Sequence, residues 1–201
     1  GLDIMSQDLD KALARAKIGI MQKPDTAFFS ALCSSLNTIF TDEVDTGATD
    51  GLKILLNPKF FEVLTLEERI FLLAHETLHV AYLHTIRCVS YNPEVFNIAA
   101  DYVINLELVD HGFTMIGDLS SRGINFKGGL LDRQYAGMST EEVYKKLMEN
   151  AQNMPQLPMP DIMPTRAGES KEGSTDSSGK NPSEGQAIEA ARAQVQANIA
   201  R

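Results

Sequence analysis

Three things are scarce in this 201-residue chain: positive charge, cysteine and long apolar runs. Lys and Arg number 18 against 27 Asp and Glu, for a formal net charge of -9. Nucleic-acid binders and proteins that sit on anionic membranes concentrate Lys and Arg to displace counterions, so neither partner is expected. No apolar run approaches the ~18 residues of a membrane span, and the start of the chain lacks the basic-then-apolar order of a signal peptide, so a cytoplasmic protein is expected. The two cysteines, Cys33 and Cys88, are far apart in apolar surroundings. They read as small core residues rather than a disulfide.

What is present suffices for one domain with a core, since 43% of residues are hydrophobic. The four residues ahead of Met5 read as a cloning remnant, and residues 5–150 as the domain. Leu9, Ala12, Leu13, Ala16 and Ile20 recur at helical spacing until Pro24, and a second helix is predicted from Thr26 to Phe40. Thr41 to Asp50 is rich in turn formers and reads as a loop. Leu52 to Leu56 is predicted to be a short strand closed by Asn57-Pro58. Thr65-Leu66-Glu67-Glu68 is a capping box that opens a helix running to about Arg87. Asn92-Pro93 breaks the chain before a helix to Val109, and Ser139-Thr140-Glu141-Glu142 caps a last one to about Asn150. Residues 151–186 are crowded with Pro, Gly, Ser and charge, a composition that reads as a flexible linker. Residues 187–201 regain a helical stripe of Ile188, Ala191, Val195 and Ile199, expected to dock on a partner or to begin a longer chain.

The chemistry concentrates in His75-Glu76-Thr77-Leu78-His79. Histidines four apart on a helix project from one face and bring two imidazole nitrogens within reach of one tetrahedral ion. The glutamate beside the first then stands next to that ion as a general base for a zinc-activated water. The flanking Ile70 to Ala74 and Val80 to Leu83 make the helix apolar almost all round, and polar groups buried there need partners that a metal supplies together. A third ligand is required. His84 lies five residues past His79, a rotation of about 140° off the ligand face in a regular helix, and so reads as a helix-end residue near the C-terminal dipole. A glycine-turn histidine site is excluded because the positions it needs are Tyr82 and Thr85. A carboxylate from the following helix remains. Asp101, twenty-two residues on in the apolar run Ile98 to Ile104, is the first candidate and Glu94 the second. Asn97 and Asn105 share the Asp101 face, either orienting ligands or lying on a helix surface. Tyr135, in a Gly-rich loop, is a candidate hydrogen-bond donor to an oxyanion, or a packed aromatic.

Several motifs in order carry a resemblance. They are Thr49-Asp50-Gly51, then Leu73-Ala74-His75-Glu76-Thr77-Leu78-His79-Val80-Ala81 with His84 and Arg87. Asn97-Ile98-Ala99-Ala100-Asp101-Tyr102-Val103-Ile104-Asn105 follows, and Gly129-Leu130-Leu131-Asp132 leads on to Tyr135 through Tyr144. Over about Leu9 to Leu147 the chain resembles the gluzincin-like metallopeptidase domain that precedes a VWA-like domain in many bacterial and phage proteins. The resemblance implies an α+β fold, mostly helical, with a small sheet beside the active-site helix. It also implies Zn2+ held by His75, His79 and Asp101, with Glu76 as the catalytic group. The implied function is peptide-bond hydrolysis on a peptide or protein substrate. The alternative is a catalytically inactive, zinc-stabilised module that binds a protein partner, such as an assembly with an AAA+ ATPase. No VWA-like domain follows within these 201 residues.

Overall fold

The computed structural model describes residues 2–153, with side chains over 6–152; the expected linker and the 187–201 helix lie outside the described residues. The order of elements is α1 (Leu2–Met21), α2 (Ala27–Ser35), β1 (Asn37–Phe40), β2 (Gly47–Thr49), β3 (Lys53–Leu56), α3 (Pro58–Val63), α4 (Leu66–Ala81), α5 (His84–Arg87), α6 (Pro93–Asp110) and α7 (Thr140–Asn153). This is the mostly helical α+β domain that the resemblance implies, with one three-stranded sheet in the order β1-β3-β2. No helix among the described residues is long and apolar enough to cross a membrane. Both cysteines are free thiols, Cys33 buried and Cys88 half-buried.

Local chemistry explains most boundaries. Asn57 caps α3 by accepting from Phe60 N, with Pro58 in the first turn where its missing N–H costs nothing. Asn92 and Pro93 open α6 in the same way. At α4 the Thr65 hydroxyl accepts from Glu68 N while the Glu68 carboxylate accepts from Thr65 N, so the capping box is complete. Arg122 adds an ion pair to Glu68 at 2.6 Å and a hydrogen bond to Val63 O. α1 lies across α4 with Gly19 at the crossing, where an added Cβ would come within 2.3 Å of Ile70 Cδ1. A side chain at this position would have to displace that of Ile70.

Two apolar clusters share the interior. The larger gathers Ala16 and Ile20 of α1, Ile54 and Leu56 of β3, Phe60 and Phe61 of α3, Leu73 and Ala74 of α4, and Ile104 and Leu108 of α6. The smaller joins Val95, Ile98, Ala99, Tyr102 and Leu106 of α6 to Val143, Leu147 and Ala151 of α7. α6 contributes to both.

Several expectations are corrected. The helix predicted to reach Phe40 ends at Ser35, and β1 follows it; the turn-rich stretch before Asp50 contains β2. The predicted strand is present as β3, but it is central, parallel to β1 and antiparallel to β2. Its backbone groups are paired on both sides, so β3 has no free edge along which an extended peptide could pair. The α4 helix stops at Ala81 instead of reaching Arg87, because Leu83 adopts a left-handed conformation at φ 55° and turns the chain before α5.

Candidate metal centre

The face of α4 that carries His75 and His79 packs against α6. His79 Nε2 lies 3.1 Å from His75 Nε2 and 3.1 Å from Asp101 Oδ1, and His75 Nε2 lies 3.2 Å from the same oxygen. Three donor atoms thus form a nearly equilateral triangle. Ligands ~2.0–2.1 Å from a tetrahedral ion stand about 3.3 Å apart, so the triangle has close to the size of one tetrahedral face. Two imidazoles and a carboxylate also form a donor set that suits a divalent first-row metal. Among the described residues these three are the group of His, Cys, Asp and Glu side chains able to hold an ion. Glu94, the other carboxylate considered, is exposed in the first turn of α6 and outside the group.

Burial sets the electrostatics. The His79 side chain is fully enclosed, whereas those of His75 and Asp101 keep 11% and 9% exposure, so the site opens on their side. Burial works to raise the Asp101 carboxyl, but hydrogen bonds and charge from His75 and His79 outweigh it. They hold the carboxyl well below the usual carboxylate range. A cation therefore meets an ionised carboxylate. Glu76 is completely buried one residue after His75, on the side of α4 that faces Gly47 of β2.

Each histidine has its second nitrogen held. His75 Nδ1 lies 2.8 Å from Asn105 Oδ1, and Asn105 Nδ2 donates to Leu130 O at 2.8 Å. Because that carbonyl fixes the amide, Asn105 can only accept from His75, which leaves the His75 Nε2 lone pair for the ion. Asn97, on the same face, is buried too, but its Oδ1 has no hydrogen-bond partner among the described residues. His79 Nδ1 lies 3.1 Å from His84 Nδ1. His84 is thus neither a member of the triad nor the helix-end residue expected: it is fully buried, and burial, with charge from His79 and Arg87, pushes its pKa down to about 2. The left-handed turn at Leu83 returns it to the centre, which counting along a regular helix could not foresee.

Over residues 5–200 the chain matches the family described as "Putative metallopeptidase domain". The chain belongs to this family. No curated protein and no solved structure gave a match. The resemblance seen in the motifs holds as far as the metallopeptidase domain, and the match extends beyond the Leu9 to Leu147 stretch that carried it. Tyr135 closes a short 3-10 turn, Arg133–Tyr135, and is buried with its ring centroid 4.8 Å from that of Tyr102, the residue after Asp101. It lines a cavity of about 460 Å3 together with Tyr82, Glu107 and Thr140. There Tyr82 donates to Glu107 in a short hydrogen bond, and burial, then that carboxylate, raise the phenol's pKa well above its ordinary value.

Proposed function

We propose that this domain is a zinc-dependent peptidase. The observation that carries the reading is the triangle of His75 Nε2, His79 Nε2 and Asp101 Oδ1, with Glu76 fully buried one residue after His75. His75, His79 and Asp101 hold the metal. Zinc there would supply a Lewis acid that polarises a carbonyl and brings the pKa of water to about 7. Glu76 takes a proton from the attacking water and later delivers it to the leaving amine, so that one carboxylate serves first as base and then as acid. Its burial supports that role, because the carboxylate is shielded from bulk water. Asn105 keeps the His75 ring oriented. Tyr135 is the candidate oxyanion donor, and Tyr135→Phe should slow turnover with the metal retained.

The test is metal analysis of the purified protein together with cleavage of a broad peptide library. About one zinc per chain and measurable cleavage are expected. Glu76→Gln should keep the zinc and lose at least the 10²–10⁴-fold typical of a missing general base. Cleavage that survives in Glu76→Gln rules the mechanism out. A zinc-loaded protein that cleaves nothing would instead favour the inactive binding module.

A further inference from the structure

We propose that His84 is a positioning residue: it fixes the tautomer and ring orientation of His79 and is itself anchored by Thr140. The inference rests on the metal reading above and concerns residues outside the triad. His79 Nδ1 and His84 Nδ1 are 3.1 Å apart, and His84 Nε2 lies 3.1 Å from Thr140 Oγ1. A hydrogen bond between two imidazole nitrogens needs one donor and one acceptor. When His79 Nε2 gives its lone pair to a cation, the neutral ring carries its proton on Nδ1. His84 Nδ1 must then accept, which puts the proton of neutral His84 on Nε2, and that proton points at the Thr140 hydroxyl. The relay therefore runs one way, from His79 to His84 to Thr140. Run in reverse, it would place a proton on His79 Nε2, between His75 Nε2 and Asp101, where the cation belongs.

The surroundings hold His84 in this role. Its ring lies against Tyr82 and Phe96, with centroids 5.6 and 5.9 Å away. Arg87, three residues on, donates to Tyr82 O at 2.9 Å across the Leu83 turn and forms a two-armed ion pair with Glu141, next to Thr140. The same junction of α5 and α7 thus holds the last two members of the relay, His84 and Thr140. Each metal-binding imidazole gains its own acceptor, Asn105 from α6 for His75 and His84 from α5 for His79. Partners of this kind usually govern 10–100-fold in metal affinity.

Two measurements on the full chain test the relay. In long-range 1H–15N spectra of 15N-histidine-labelled, zinc-loaded protein, His84 should be the Nε2–H tautomer and His75 and His79 the Nδ1–H tautomer. A His84 protonated at Nδ1 overturns the proposal, and because no variant is involved this result stands even if substitutions fail to fold. By chelator competition, His84→Phe, which keeps a ring but no acceptor, should bind zinc about 10–100-fold more weakly. His84→Asn, whose Oδ1 can stand in for Nδ1, should recover most of the loss. Equal zinc affinity in His84→Phe and the unmutated protein overturns the relay alone, whereas an unmutated protein that binds no zinc overturns the metal reading and the relay with it.

Discussion

At the scale of single residues, Gly47 and Asp101 bound what the site tolerates. A Cβ added at Gly47 would lie 3.1 Å from Leu72 Cδ1 and 3.3 Å from Glu76 Oε1, inside a fully buried strand. A larger residue there presses on the carboxylate that the mechanism uses without touching a ligand. Gly47→Val should therefore lower peptidase turnover while zinc content holds, and equal turnover at equal zinc content would separate Gly47 from the site. Asp101 is the counterpart: Asp101→Asn keeps the shape of the side chain but removes the charge, and most bound zinc should be lost on desalting, whereas Glu94→Gln should keep it. Asp101 could be found in the sequence because a lone carboxylate in Ile98 to Ile104 needs a partner and stands at the spacing a following helix provides. Asn105 was visible only as a member of the same face, since its link to Leu130 O spans 25 residues. The central position of His84 was not legible, because it depends on the conformation of Leu83, a residue with no turn propensity of its own.

At the scale of elements, caps and breakers were readable and short strands were not. Thr65-Glu68, Asn57-Pro58 and Asn92-Pro93 are chemical signals complete within four residues, and each marks a helix start. β1 follows α2 with no Gly or Pro between them, and β2 has only three residues, too few to show an alternating period; both exist because β3 pairs with them. The start of α4 carries a pH dependence. Burial of Glu68 works to raise its carboxyl, but the Arg122 guanidinium and the Thr65 backbone outweigh it and hold it below its ordinary 4.5. A carboxylate lowered in the folded state contributes stability that is fully present above its unfolded value and is lost as the pH falls through its folded one. Arg122→Met should therefore melt below the unmutated protein near neutral pH, with a gap that narrows as the pH drops below 4.5. A gap that stays constant through that window in thermal melts would exclude Glu68 as its source.

At the scale of the whole molecule, the metal triad joins the two apolar clusters. His75 and His79 stand on α4, whose Leu73 and Ala74 belong to the larger cluster. Asp101 stands on α6, whose neighbouring Ala99 and Tyr102 belong to the smaller cluster with α7. An ion held by all three ties α4 to α6, and it binds the folded chain but no preformed site in the unfolded one. Free metal at a hundred times its dissociation constant then adds about 2.7 kcal/mol. For a chain of this size each kcal/mol moves the melting temperature by about 2–4 °C, so chelation should lower it by about 5–10 °C. The loss should also be uneven. α7 touches the rest of the fold mainly through α6, and through the Arg87–Glu141 pair and the Thr140–His84 contact at its N-terminal end. Amide exchange should therefore rise first in α6 and α7 when zinc is removed, while α1, β3 and the first turns of α4 keep their protection. Asp101→Asn should show the same pattern without chelator, because it breaks the tie from the other side. A chelated protein that melts at an unchanged temperature, with α6 and α7 as protected as before, would mean that the clusters hold together without the ion and that His75, His79 and Asp101 do not share one.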